Sequence, residues 1–156
     1  MTIDERLIEL GIDLGEPIPP LGSYAGAVQH GGLVYTSGIV GLRSPDWATL
    51  YPGRFGADLS PDDAYQASRT AMISTLANVR GLLGSLNGVE RALKVTGFIQ
   101  TEAAVMGIPT LMNGATDLLS ELFGADLVPT RTAVGAYALP GGASVELECV
   151  FALRTV

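Results

Sequence analysis

Cysteine appears once in this 156-residue chain, at Cys149, and histidine once, at His30. A lone thiol excludes an internal disulfide framework and a cysteine-rich metal site. A lone imidazole excludes a histidine metal cluster and leaves little room for a Ser/His/Asp triad. No run of about eighteen apolar residues is present to cross a bilayer. The opening Met1-Thr2-Ile3-Asp4-Glu5-Arg6 does not have the pattern of a signal peptide. The expectation is a cytoplasmic protein with no membrane partner. Basic residues are few: 9 Lys and Arg stand against 16 Asp and Glu, a net charge of −7. Such a surface repels phosphate backbones and argues against nucleic acid as a partner. No Gly-rich phosphate loop lies between a strand and a helix, because the glycine pairs fall in turns.

What is present is apolar. Hydrophobic residues make up 47% of the chain, and mean hydropathy is +0.35. That excludes a disordered chain, and the length suits one domain over 1–156. Thr2 and Glu5 form a capping box for a short helix with Ile3, Leu7, Ile8 and Leu10 as its apolar stripe, stopped at Gly11. Pro17, Pro19 and Pro20 make the following stretch an extended connector. Ala25–His30 and Leu33–Gly38 flank Gly31-Gly32, which predicts a hairpin with His30 as a turn-side residue. Gly41–Leu59 reads as a long loop with room for one short strand, pinned down by Trp47, Tyr51 and Phe55. Ser60-Pro61-Asp62-Asp63 starts a long helix that Gly84 ends. Val89–Thr101 alternates as a strand, and Pro109 opens a second long helix running to Phe123. Arg131–Leu139 and Ala143–Leu153 read as two strands around Pro140-Gly141-Gly142. The order predicts an α+β fold: two long helices on one face of a mainly antiparallel sheet.

In the last strand Val145, Leu147, Cys149, Phe151 and Leu153 form the apolar face, so Cys149 reads as a small buried hydrophobe rather than a nucleophile. Glu146 and Glu148 fall on the opposite face, either solvated or, if that face is covered by assembly, buried and useful. Arg131 follows Val128-Pro129-Thr130 and is the one cation between Lys94 and Arg154. Its planar fork suits a carboxylate bidentately, and an ordinary surface salt bridge is the alternative.

Gly22-Ser23-Tyr24, Tyr35-Thr36-Ser37-Gly38, Asn113, Pro129-Thr130-Arg131-Thr132-Ala133-Val134 and Val145-Glu146-Leu147-Glu148 carry a likeness. From Gly22 onward the chain resembles the Rid/YjgF family, the reactive intermediate deaminases once described as endoribonucleases or translation inhibitors. The resemblance implies a chorismate-mutase-like homotrimer with sites in the clefts between subunits. It implies hydrolysis of 2-imino acids or enamines to 2-keto acids and ammonia without metal or cofactor, so the partner is a small carboxylate-bearing imine or keto acid. Carried over, Arg131 and the Gly38 N–H hold the substrate carboxylate and Glu146 orients the attacking water. Tyr24 and Asn113 line the cleft, and the Ala133 carbonyl contacts the water. This chain departs from the family pattern at Ala133, where cysteine is common, and at Ile39, where glutamine is usual. A non-catalytic carboxylate-binding protein is the competing reading, and a nuclease a weaker one given the negative charge.

The last hairpin carries one geometric expectation. With Gly141-Gly142 as a two-residue turn, Tyr137 faces Glu146 and Arg131 lies six residues further along. At ~3.3 Å per residue, roughly 20 Å then separate Arg131 from Glu146 within one chain. One small substrate would have to take Arg131 from one subunit and Glu146 from another.

Overall fold

A computed structural model describes residues 1–43, 45–102 and 105–155. Helix α1 (Ile3–Glu9) starts at the Thr2/Glu5 capping box and buries Ile3 and Leu7, while Ile8 turns outward. Strands β1 (Ala27–His30) and β2 (Leu33–Thr36) form the hairpin across Gly31-Gly32, with His30 opposite Leu33. The long loop holds more regular structure than its composition suggests. β3 (Ile39–Val40) precedes it, and within it β4 (Leu42–Arg43) pairs with β5 (Ala48–Thr49) in a ladder of its own. Tyr51 and Phe55 pack on the core and anchor it.

Helix α2 (Pro61–Leu83) has Ser60 and Asp63 as its capping box and Gly84 in the left-handed conformation at its end. Its buried face of Ala64, Ala67, Ala71, Met72 and Leu76 lies on the sheet. The second long helix is broken in two, α3 (Ile108–Leu111) and α4 (Asn113–Phe123). At the break Met112 N–H bonds Pro109 O, and Met112 O accepts from Ala115 N–H. These tighter three-residue spacings turn the chain so that Met112 is fully buried over Gly97, where even a Cβ would come within 2.9 Å of its sulfur.

The central sheet runs β1-β2-β8-β6-β7, with β6 spanning Val89–Gln100, β7 Thr130–Ala136 and β8 Val145–Leu153; β3 also pairs with β8. All pairings are antiparallel except β6 with β7, which are parallel and joined through α3 and α4. The expected last hairpin is therefore not formed. Pro140–Gly142 makes a 3₁₀ turn with Gly141 and Gly142 at positive φ, and beyond it Ser144 O accepts from Gln100 N–H, so the chain passes around the end of β6 to its other side. Tyr137 does not face Glu146; Phe98 does, and Phe98 in turn faces Val134.

The register assigns the two faces. Arg131, Ala133 and Gly135 are flush with Val95, Gly97 and Ile99, and these with Cys149, Leu147 and Val145, all toward the helices. Val134, Phe98 and Glu146 belong to the opposite face, together with Tyr35 opposite Val150 and Val28 opposite Tyr35. Val28, Tyr35 and Val134 are exposed there. Cys149 is buried in the core as expected, its thiol pushed up well beyond its ordinary range by burial and then by Glu148.

Candidate functional site

The residues singled out in the sequence fall into two groups. Tyr24, Gly38 and Glu146 share the wall of one cavity of about 310 Å³, placed where β2 hands over to β3. Glu146 reaches it because β3 is only two residues long, which sets Val40 opposite Glu146, and because residue 38 has no side chain. A Cβ on Gly38 would overlap the Glu146 carboxylate, standing 2.9 Å from its Cδ and 3.3 Å from its Cγ. Between Val40 and Phe98 the half-buried carboxylate accepts no hydrogen bond from the described residues. Burial, and then the charge of Glu148, raises its pKa above the ordinary carboxylate value. A carboxylate with no protein donor and an elevated proton affinity can take a proton from a neighbouring water.

Arg131, Asn113 and Ala133 form the second group, on the helix side of edge strand β7. Arg131 Nη1 donates to Asn113 Oδ1 and to Thr116 Oγ1, each at 3.0 Å, and Nη2 donates to Pro109 O at 2.7 Å. The break before α4 sets this up, since it places Pro109, Asn113 and Thr116 around one guanidinium. Guanidinium has five N–H donors. Three are used here, and Nε–H and one Nη2–H have no acceptor among the described residues. No carboxylate lies within ion-pair distance of Arg131 among those residues. The ordinary salt bridge is thus absent, and the cation is aimed and held with its charge uncompensated. Ala133, half-buried opposite Gly97, lies two residues along the same face.

The two groups do not meet within the chain. Three residues along β7 and two strand spacings separate Arg131 from Glu146, roughly 14 Å at ~3.3 Å per residue and ~4.8 Å per strand. The expected hairpin had put them roughly 20 Å apart; the true path is shorter, but the two side chains leave opposite faces of the sheet.

Sequence reasoning passed over two parts of these sites. Thr116 holds Arg131 and sits at helical spacing from Asn113, the pattern that could have revealed it. The connector Ile18–Leu21, read only as a link, is a wall of the Glu146 cavity. Asn78, buried in α2, clips it there: Ile18 N–H donates to Asn78 Oδ1 at 2.7 Å, and Asn78 Nδ2 donates to Ile18 O at 3.3 Å. An amide in an otherwise small and apolar helix face was the available signal. Among the described residues no group of three His, Cys, Asp or Glu side chains is placed to hold a metal ion, and no helix is long and apolar enough to cross a membrane.

Comparisons with known proteins agree with this architecture. Protein TCP17 of Trypanosoma cruzi is 30% identical over 150 residues, covering 96% of this chain and 92% of that protein. The crystal structure of a candidate endoribonuclease from Shewanella oneidensis mr-1 superposes with a TM-score of 0.91 at 25% identity, over 98% of this chain and 100% of that one. TdcF of E. coli, solved with bound serine, shares the fold with a TM-score of 0.64 at 22% identity, over 92% and 96% of the two chains. A profile of the YjgF/chorismate mutase-like family, described as candidate endoribonucleases, matches residues 4–152, and the chain belongs to that family.

Proposed function

We propose that the protein hydrolyses 2-imino acids or enamines to 2-keto acids and ammonia, at sites shared between copies of the chain. The observation that carries this is the division of the site: an uncompensated, rigidly held Arg131 on one side of the sheet and a proton-hungry Glu146 in a cavity on the other. Each half lacks what the other has. Val28, Tyr35 and Val134, exposed on the Glu146 face, are apolar surface that a homotrimer would cover. TdcF shows that this fold can seat a small amino acid.

The chemistry is within reach of these groups. An imine carbon is already electrophilic, and the balanced reaction is R–C(=NH)–COO⁻ + H₂O → R–CO–COO⁻ + NH₃. Arg131, through Nε–H and its remaining Nη2–H, and the Gly38 N–H fix the carboxylate. Glu146 takes a proton from the water as its oxygen bonds C2 and passes it to nitrogen, giving a carbinolamine. It then takes the hydroxyl proton and delivers that to nitrogen too, so that C=O forms as the C–N bond breaks and NH₃ leaves. Tyr24 and Asn113 border the cleft, and the Ala133 carbonyl orients the water. Much of the barrier reduction then comes from fixing the reactants. A nuclease reading is disfavoured by the net charge of −7, which each further copy adds to.

The test combines two inactive proteins. Arg131→Ala and Glu146→Ala are each expected to abolish keto-acid release from an imine made in situ by an amino-acid oxidase. Mixed and reassembled, they should regain part of it, because some interfaces then pair an intact Arg131 with an intact Glu146. No recovery from mixed assemblies refutes the shared site, and full activity of either single variant refutes the assignment.

A further inference from the structure

The Glu146 cavity is larger and more apolar than the smallest 2-imino acid requires. Its 310 Å³ corresponds to roughly ten waters at ~30 Å³ each, whereas an alanine-derived imine has a methyl group as its whole side chain. Ile18, Pro19, Leu21, Ile39, Val40 and Leu42 supply the walls. Its other polar side chains are engaged with the protein itself: Tyr24 Oη accepts from Leu21 N–H, Ser37 Oγ donates to Ala25 O, and Asn78 is committed at both ends to Ile18. Only Glu146 is unbonded. The connector is also fixed rather than loosely draped. Pro17 packs so closely on α2 that a Cβ on Gly81 would overlap its Cγ and stand 3.0 Å from its Cβ, and a Cβ on Gly26 would come to 2.5 Å of Asn78 Nδ2.

We infer that the substrate carries an apolar side chain larger than methyl, and that the Ile18–Leu21 strap with Ile39, Val40 and Leu42 selects it. This rests on the deaminase reading above. The physical reason is differential: an alkyl group displaces water from apolar walls, while a polar group of equal size gives up its hydration to a wall made mainly of Ile18, Pro19, Leu21, Ile39, Val40 and Leu42. Burying one methylene is worth ~0.8 kcal/mol, about fourfold in kcat/KM. The three extra carbons of a leucine-derived imine over an alanine-derived one then favour it by roughly 10- to 50-fold, the lower figure reflecting incomplete burial.

Imines made in situ from alanine, leucine and asparagine test this, the last two being nearly equal in size. The expected kcat/KM order is leucine well above both others. Leu21 is 76% exposed, so Leu21→Ser leaves the fold intact and should cut the leucine-to-alanine ratio about fourfold. Equal rates for the leucine and alanine imines, or for leucine and asparagine, overturn the inference while leaving the deaminase reading standing. Turnover of no imine overturns the deaminase reading instead. Calorimetry with 4-methyl-2-oxopentanoate against pyruvate then decides the selectivity: tighter binding of the larger acid supports it, and equal binding refutes it.

Discussion

Replacing Gly38 by alanine isolates the placement of one carboxylate. Gly38 has no positive φ, so alanine fits its backbone without strain. The added Cβ would overlap the Glu146 carboxylate oxygen and stand 2.9 Å from the carboxyl carbon, where ordinary contact begins at 3.4 Å. The carboxyl carbon must retreat by about half an ångström and the oxygen by about an ångström or more. Misplacement of a reacting group by ~1 Å costs on the order of 100-fold in rate, about 2.7 kcal/mol of transition-state stabilisation. Stability should move the other way: the displaced atoms end a flexible side chain, and losing a glycine from the unfolded chain stabilises by roughly 0.4–1 kcal/mol. The assay is kcat/KM for keto-acid release beside a thermal melt. The expected pair is a rate down about 100-fold and an unchanged or slightly raised Tm, with little further loss when Gly38→Ala is added to Glu146→Gln. Wild-type kcat/KM in Gly38→Ala would show that the position of the Glu146 carboxylate does not matter to the reaction.

Glu146→Gln should also change how stability depends on pH. The folded protein holds the Glu146 proton to a higher pH than the unfolded chain does, so wild-type stability falls as pH rises from the ordinary carboxylate value, 4.5, through the elevated one. The variant has no such decline; urea midpoints measured across that range should show the variant gaining on wild type and the gap then levelling off, and a gap independent of pH would contradict the raised proton affinity. At the crossing of α2 and α4, a Cβ on Gly114 would overlap the Tyr65 carbonyl oxygen and stand 2.7 Å from Ser68 Oγ. Gly114→Ala should lower the unfolding free energy measured by urea denaturation by roughly 1–3 kcal/mol, against the ~1 kcal/mol gain alanine normally brings to a helix interior; a stabilised variant would mean the helices can part freely.

Elements whose signals are local were legible in the sequence. The capping residues Thr2 and Ser60, the Gly31-Gly32 turn and the alternation along β8 fixed α1, α2, the first hairpin and the burial of Cys149. The pairing of β7 was not legible. A Pro-Gly-Gly turn between two strands reads as a hairpin, and only the docking of α3 and α4 decides that β6 comes between them. The break at Met112 likewise comes from burial over Gly97, a contact fifteen residues away that helical periodicity does not encode. The site was legible residue by residue and not as a place. Arg131 and Glu146 stood out as charges in apolar strands, whereas the cavity wall from Ile18 to Leu21 is set by a tertiary clip to Asn78.

The position of β8 bears on how the chain comes together in time. It holds β2, β3 and β6 in one layer, yet it is the latest strand to be synthesised. On the ribosome the hairpin and α2 can gather early, but the middle of the sheet stays vacant until residues 145–153 emerge. Nearly all interstrand closure is long-range, which makes for slow folding and a nascent chain with apolar edges in need of shelter.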